Sequence, residues 1–442
     1  MAVLLLHGRE GNNELEIIAP TVGSILIACH ECDLLHEFHP LSNGEKASCT
    51  RCGATLYKKI QNSIERSLAL YIAALLCFFI ANSFPFLSLQ FNGRVEENIL
   101  LSGAFSLYHS GMGELGLIVF LTSTLFPLIV ITGMIYILTS LLLKRPAPEI
   151  ATAFRVVRTL MPWSLLGVLM LGILLAIVKL QDLAEIIPGF SLFAFIALLF
   201  FYSAAVVNFD LHSIWPHVKT DSTIKASGRT ARDCGLVSCH SCNLLLPMQQ
   251  TPKQHKCPRC FTSLHSRKAN SYKRTQALVV TASLLLIPAN LYPIMTVVQL
   301  GQGDPSTIIG GIIHLIEAGM LPLGMIVLFA SIIVPLAKLG VLTLLLDTTR
   351  RGSNWRTYDR SLLYRITEVV GAWSMVDIYL IAVLSALVNL DALATIKPES
   401  GAQFFAAAVV VTMFAAHSFD PRSIWDNASN YSTDKELPNA AK

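Results

Sequence analysis

The sequence predicts an all-α polytopic membrane protein made by tandem duplication: two four-helix modules, about eight transmembrane helices in all, each preceded by a small cysteine-rich domain. Composition is the first reason. Of 442 residues 53% are apolar and only 14% charged, with a mean hydropathy of +0.57, outside the range of soluble proteins. Apolar stretches of about 18 residues or more recur, long enough to cross hydrocarbon as helix. The second reason is an internal echo. Ala81-Asn82-Ser83-Phe84-Pro85 returns 208 positions later as Ala289-Asn290-Leu291-Tyr292-Pro293, as does Gly111-Met112 in Gly319-Met320. From Trp163-Ser164 and Trp373-Ser374 the offset is 210, and it holds to the closing Phe209-Asp210-x-x-Ser213-Ile214-Trp215 and Phe419-Asp420-x-x-Ser423-Ile424-Trp425. Third, two C-x-x-C pairs stand ahead of each apolar block.

The first module is expected to supply spans at about 66–89, 113–143, 160–180 and 190–208, the second at about 275–298, 320–346, 368–390 and 400–417. The second span of each is longer than crossing requires and should tilt, bend at Pro127 or Pro335, or run past the bilayer surface. The resulting domain plan is an N-terminal tail (1–24), ribbon 1 (25–60), module 1 (61–215), a linker (216–233), ribbon 2 (234–268), module 2 (269–425) and a C-terminal tail (426–442). Met1 to Glu16 has no basic n-region and does not read as a cleaved signal.

Basic residues orient the bundle. Lys46, Arg51, Lys58, Lys59 and Arg66 precede the first span, and Lys144, Arg145, Arg155 and Arg158 join the second to the third. Asp210 to Arg274 is rich in Lys and Arg, and Arg350, Arg351, Arg356, Arg360 and Arg365 join the sixth to the seventh. The opposite loops hold little beyond Arg94 and Lys397. The positive-inside rule therefore places both termini and both cysteine domains in the cytoplasm.

Eight of the ten cysteines form Cys29-x-x-Cys32, Cys49-x-x-Cys52, Cys239-x-x-Cys242 and Cys257-x-x-Cys260, with 16 residues between the pairs of the first domain and 14 in the second. Two knuckles at this spacing point four thiolates at one ion, the pattern of a zinc ribbon. About two structural zinc ions per chain are expected, and they would supply much of the folding energy of segments too short for a core. Iron in the same shell and thiol redox work are the alternatives. A cytoplasmic location argues against disulfides, and paired C-x-x-C sets suit redox exchange poorly. Arg51, Gly53, Pro258 and Arg259 suit the knuckle turns, while His30, His240 and His255 lie close by without being read as ligands. Cys234 is extra to the pattern and Cys77 reads as a packing residue. Nucleic-acid binding is not favoured, because the net charge of +4 is modest and no aromatic-basic stripe occurs.

Polar groups inside the spans are the remaining clues, since charge in hydrocarbon must be paired, hydrated or snorkelling. Lys179 and Asp182 are expected to share a face at the outer end of the third span, as a proton-responsive or headgroup pair or as an interfacial salt bridge. Asp377, near mid-depth of the seventh span with Glu368 at its start, is either protonatable in a cavity or bonded to a neighbouring hydroxyl. Lys338 is expected to snorkel toward the cytoplasmic surface. Asn82-x-x-Pro85 and Asn290-x-x-Pro293 mark either helix breaks lining a path or plain helix ends. Asn92 to Glu114 and Gly301 to Gly319, with His109, His314 and Glu317, read as short amphipathic helices on the outer surface.

On the paired ribbons, Ala81-Asn82-Ser83-Phe84-Pro85-Phe86, Gly111-Met112 and the doubled Phe-Asp-x-x-Ser-Ile-Trp, the chain from about Ile27 to Trp425 closely resembles the paraquat-inducible protein A (PqiA) family, which includes LetA-like membrane subunits. The resemblance implies an inner-membrane subunit of intermembrane phospholipid transport in a Gram-negative envelope. Its partner would be a periplasmic oligomer of mammalian-cell-entry (MCE) domains, seated on one copy of this chain. It also carries all eight ribbon cysteines over as metal ligands. Neither a Walker-type loop nor G-x-S-x-G or H-E-x-x-H occurs, so no enzyme activity is expected. A solute or ion transporter and a non-conducting scaffold for the MCE partner are the competing readings.

Overall fold

The computed structural model describes residues 25–91, 94–144, 149–180, 185–210, 215, 229–248, 256–299, 302–317, 319–387 and 394–426. The first ribbon consists of two hairpins, β1 (Leu26–Ala28) with β2 (Leu35–Glu37) and β3 (Lys46–Ser48) with β4 (Thr55–Lys58). Module 1 follows with α1 (Ser63–Ser83), a hairpin of β5 (Leu87–Phe91) and β6 (Arg94–Asn98), and α2 (Ser102–His109). The second span is α3 (Gly113–Phe120), a π-turn (Leu121–Leu125) and α4 (Phe126–Leu142). The third is α5 (Ile150–Leu160), a 3-10 turn (Met161–Trp163) and α6 (Leu166–Leu180). Then come β7 (Glu185–Pro188) and α7 (Phe190–Asn208).

The second half repeats the plan. Hairpin β8 (Leu236–Ser238) and β9 (Leu245–Pro247) opens ribbon 2, followed by α8 (Ser271–Leu291), β10 (Met295–Gln299), β11 (Gln302–Ser306) and α9 (Ile308–Glu317). Next stand α10 (Leu321–Leu328), a π-turn (Phe329–Ile333) and α11 (Val334–Arg350). Helix α12 (Thr357–Val370), a 3-10 turn (Gly371–Met375) and α13 (Val376–Leu387) form the seventh span; β12 (Ala394–Pro398) and α14 (Ser400–Ser418) close the module. The described residues hold eight helices long and apolar enough to cross a membrane, four per module. In hydrocarbon every backbone N–H and C=O must be satisfied within the segment, so these stretches have little choice but helix.

Several ends differ from expectation, each for a physical reason. The tails of the first and fifth expected spans are strands: α1 stops at Ser83 and α8 at Leu291, and the apolar residues beyond enter β5 and β10. The segments expected to be outer-surface helices are in each case a hairpin followed by a short helix. A third strand, contributed from before the module's last span, completes sheets ordered β6-β5-β7 and β11-β10-β12. The third and seventh spans begin earlier, at 150 and 357, because Arg155, Arg158, Arg360 and Arg365 dilute the apolar signal of their first turns. The bend expected at Pro127 and Pro335 takes the form of a π-turn just before each proline. Proline has no N–H to offer the preceding turn, and a widened turn absorbs the mismatch.

Packing within each module uses small residues. Ser67, Ala74 and Ala81 on α1 are fully buried, as are Thr275, Ala282 and Ala289 at the same places on α8. These stripes face α7 and α14 and let the backbones approach closely. The helix ends are tied in duplicate: Ser63 Oγ donates to Asn208 O at 2.8 Å and accepts from Asp210 N at 3.0 Å, and Ser271 Oγ does the same with Ser418 O and Asp420 N at 2.8 and 3.0 Å. The modules meet where α6 packs on α13, the same element of each repeat. A Cβ on Gly172 would stand 2.9 Å from Tyr379 Cβ, so this seam closes only because α6 has no side chain there. The seventh span is the centre of the molecule, 71% of its apolar stretch being buried against 44% for the third. Replacing Gly172 by leucine is expected to force the seam apart and destabilise the chain by ~1–3 kcal/mol, read as a lower thermal midpoint in detergent, while Gly340→Leu, which faces open space, leaves the midpoint near wild type.

Candidate functional site

Each C-x-x-C turn is built the same way. The amide just after the second cysteine closes the turn on the first: Asp33 N and Gly53 N donate to Cys29 O and Cys49 O, and Asn243 N and Phe261 N to Cys239 O and Cys257 O, all at 2.8–2.9 Å. The donor residue in every case follows the second cysteine and has positive φ, from 55° to 72°. This left-handed step turns the chain so that both sulfurs face inward, and it falls on Gly in one knuckle of the four. The sulfurs then converge: Cys29–Cys52 and Cys32–Cys49 are 3.5 Å apart, Cys239–Cys260 3.4 Å and Cys242–Cys257 3.6 Å. All four Sγ atoms of each set lie within 4.8 Å of one another. Tetrahedral bonds of about 2.3 Å to a zinc ion place sulfurs about 3.8 Å apart, so each buried set fits such an ion. The histidine that touches a ligand is His36, whose Nε2 is 3.2 Å from Cys49 Sγ; His30 and His240 do not, and His255 lies outside the described residues. Cys234 is not part of the second set.

The two ribbons form one body. Leu26, Ala28 and Leu35 share a core with Ala231, Leu236 and Leu245, and residues 229–231, inside the expected linker, pair with ribbon 1 through Leu35 N to Arg229 O at 3.1 Å and Ala231 N to Asp33 O at 2.8 Å. Each ribbon also docks on the other module's closing motif. Arg51 of ribbon 1 stacks 4.5 Å over Trp425, and Arg259 of ribbon 2 stacks 5.7 Å over Trp215. Arg365 of α12 donates to Cys52 O at 2.7 Å, and Arg267 joins Asp33 at 2.9 Å to Asp426 at 2.5 Å. Burial alone would raise the Asp420 carboxyl, but its bidentate partner Arg422 at 3.0 Å and the Lys268 N–H hold it at about 2. Burial pushes Glu31 the other way, to about 7, with Arg365 offsetting part of the rise.

Three cavities lie along or beside the seam. One, about 620 Å³, is lined by Leu165, Gly167 and Leu171 of module 1 and by Lys338, Glu368 and His417 of module 2. A second, about 420 Å³, lies between ribbons and bundle and presents His30, Arg158, His240, Lys268, Glu368 and Arg422. A third, only about 50 Å³, lies nearer the sheet end and contains Lys179, Asp377 and Ser331.

The intramembrane residues read from the sequence thus fall in two groups. Lys179 shares its cavity with Asp377 across the seam; Asp182, its expected partner, lies outside the described residues. Asp377 is 6% exposed and shares the small cavity with Ser331 of the π-turn, while its Oδ2 has no partner among the described residues. Two residues on, Tyr379 OH donates to Thr122 in the other π-turn at 2.7 Å. The central helix α13 therefore engages both bulges, a link carried by Ser331, Tyr379 and Thr122 that the sequence reading did not anticipate. Lys338 does not snorkel to the surface: it is 4% exposed and faces the 620 Å³ cavity. Glu368 is 45% exposed and lies 4.0 Å from His417. Asn82 and Asn290 cap their helix ends, each Nδ2 donating to the carbonyl four residues back, Phe78 O and Leu286 O, at 2.8 Å; Pro85 and Pro293 follow the ends.

Fold and site together define a duplicated multi-pass membrane protein with paired four-cysteine metal ribbons. The chain belongs to the paraquat-inducible protein A family, whose profile matches it twice, at residues 64–219 and 272–429. It is 34% identical over 405 residues to the intermembrane transport protein PqiA of Escherichia coli K12, covering 90% of this chain and 95% of that protein. It is 29% identical over 399 residues, 90% of each chain, to the lipophilic envelope-spanning tunnel protein A of the same organism. A probable intermembrane transport protein of Haemophilus influenzae is 24% identical over 405 residues, 90% of this chain and 95% of that one. No solved structure matches.

Two outcomes follow from the ribbons. Metal analysis of the purified chain is expected to return about two ions per chain, and Cys257→Ser about one. Arg267→Ala leaves the buried Asp33 unpaired and is expected to cost about 3 kcal/mol, measured as faster proteolysis in the ribbons with the apolar spans still protected.

Proposed function

We propose that this chain is the inner-membrane subunit of an intermembrane lipid transport system, passing phospholipid between the inner membrane and a periplasmic MCE-domain oligomer. The observation that carries the reading is similarity over 90% of the chain to proteins named for intermembrane transport and for a lipophilic envelope-spanning tunnel. Both modules run in the same direction, so each carries its three-stranded sheet at the end of its spans opposite the ribbons. With the basic loops facing the cytoplasm, that end is the periplasmic one, and the paired sheets offer a platform on which a single copy could seat the partner. The ribbons, each holding a zinc ion, brace the cytoplasmic end.

In this reading the chain performs no covalent chemistry. Phospholipid enters laterally between modules, and energy comes from an ion gradient, the lipid gradient or another subunit. The small cavity with Lys179, Asp377 and Ser331 supports coupling to protons: it is too tight for an acyl chain but suits a proton moving onto a buried carboxylate. The same cavity is what favours the second reading, an ion transporter.

Transfer of labelled phospholipid from proteoliposomes holding the chain to its MCE partner tests both. Asp377→Asn is expected to abolish the response to an imposed proton gradient while leaving about two metal ions bound. Unchanged transfer and unchanged gradient response in Asp377→Asn remove the coupling role. Ion flux without any lipid transfer selects the second reading.

A further inference from the structure

The 620 Å³ cavity poses an electrostatic problem. Lys338 is 4% exposed, yet its ammonium makes no ion pair or hydrogen bond with any described residue. A Cβ on Gly371 would lie 2.7 Å from Nζ, so the missing side chain at the 3-10 break is what gives the ammonium room. Glu368 supplies the acid of the lining, and it is paired with His417 rather than with Lys338. A buried ammonium without an anion is costly, and the adjoining cavity has room for an anionic ligand group to supply one.

The surroundings say what kind. Apart from Ser164, the rest of the lining is mainly apolar, including Leu165, Leu171 and Met413. The rim residues Val369 and Trp373 are 70% and 47% exposed on spans that face hydrocarbon, so the cavity opens sideways into the membrane. His417 is the penultimate residue of α14, which places the polar end at headgroup depth on the ribbon side. An anionic group fused to apolar chains, arriving from the membrane, matches each of these features.

We propose that this cavity is a phospholipid site filled from the ribbon-side leaflet, with the phosphate on Lys338 and the acyl chains along Leu171 and Met413. Glu368 is placed to receive the amine of a zwitterionic headgroup. The site deepens the transport reading by naming where lipid is first held, and it is distinct from the small cavity used for coupling.

The test places a photoreactive amino acid at Leu171 of the full chain in nanodiscs of phosphatidylethanolamine and phosphatidylglycerol, with one at lipid-exposed Leu76 as reference. Wild type is expected to crosslink phospholipid at both positions. Lys338→Met should lower the Leu171 signal about tenfold relative to Leu76, and Lys338→Arg should retain it. If Lys338→Met loses its bound metal or aggregates, Gly371→Ala, which crowds Nζ, is read in its place. Undiminished crosslinking in these variants overturns the site. Protection by inorganic phosphate with no lipid crosslink in wild type also overturns it, identifying a free anion instead. Crosslinking that depends on Lys338 in a chain unable to transfer lipid keeps the site and rejects the transport function.

Discussion

The close approach of α6 to α13 is the contact on which the rest of the molecule depends. Helices in hydrocarbon gain nothing from hiding apolar surface from lipid, so they associate through backbone proximity and buried hydrogen bonds. Gly172 supplies the proximity. Tyr379 donates a buried hydrogen bond to Thr122 and Asp377 faces Ser331 in the small cavity, each reaching a π-turn that a downstream proline makes necessary. With that seam set, the two modules enclose the 620 Å³ cavity between them and the Lys179–Asp377 pocket toward the sheet end. The ribbons then lock the opposite end by docking crosswise, ribbon 1 on Trp425 and ribbon 2 on Trp215.

Duplication made the frame, and divergence made it asymmetric. The caps, the helix-end hydrogen bonds, the π-turns and the Arg-on-Trp stacks occur in both halves. The charges do not. Asp377 stands where the first module has Gly167, Lys338 where it has Val130, and Glu368 where it has Arg158. Module 2 thus carries Lys338 and Asp377, while module 1 supplies Lys179 opposite Asp377 and an apolar wall of Leu165 and Leu171 beside Lys338. That division explains why the seventh span is the most enclosed in the chain. A buried charge needs a shell of protein on every side.

Much of this was legible in the residues. Eight spans follow from hydropathy, the repeat from fixed offsets, and both ligand sets from C-x-x-C spacing. The sheets were not, because each strand is at most five residues and the third comes from about 100 positions away, Leu87 pairing with Pro188. Short stretches of mixed polarity give no period to read. The crossing of the ribbons was hidden for a different reason: Arg51 and Arg259, like Trp215 and Trp425, repeat faithfully, and a repeat cannot say which copy meets which. His36 escaped notice because proximity in sequence favoured His30 and His240. Lys338 was expected at the surface because snorkelling is the usual fate of a lysine near a span's end; the gap left by Gly371 turned it inward instead.

The central claim is that lipid occupies the space between the modules. An experimental density map of the full chain in a phospholipid bilayer measures this most directly. The account predicts elongated acyl-chain density between α6 and the 3-10 break at Gly371, with a headgroup against Lys338. A seam closed and dry in every state resolved, with Lys338 bonded to protein alone, would contradict it.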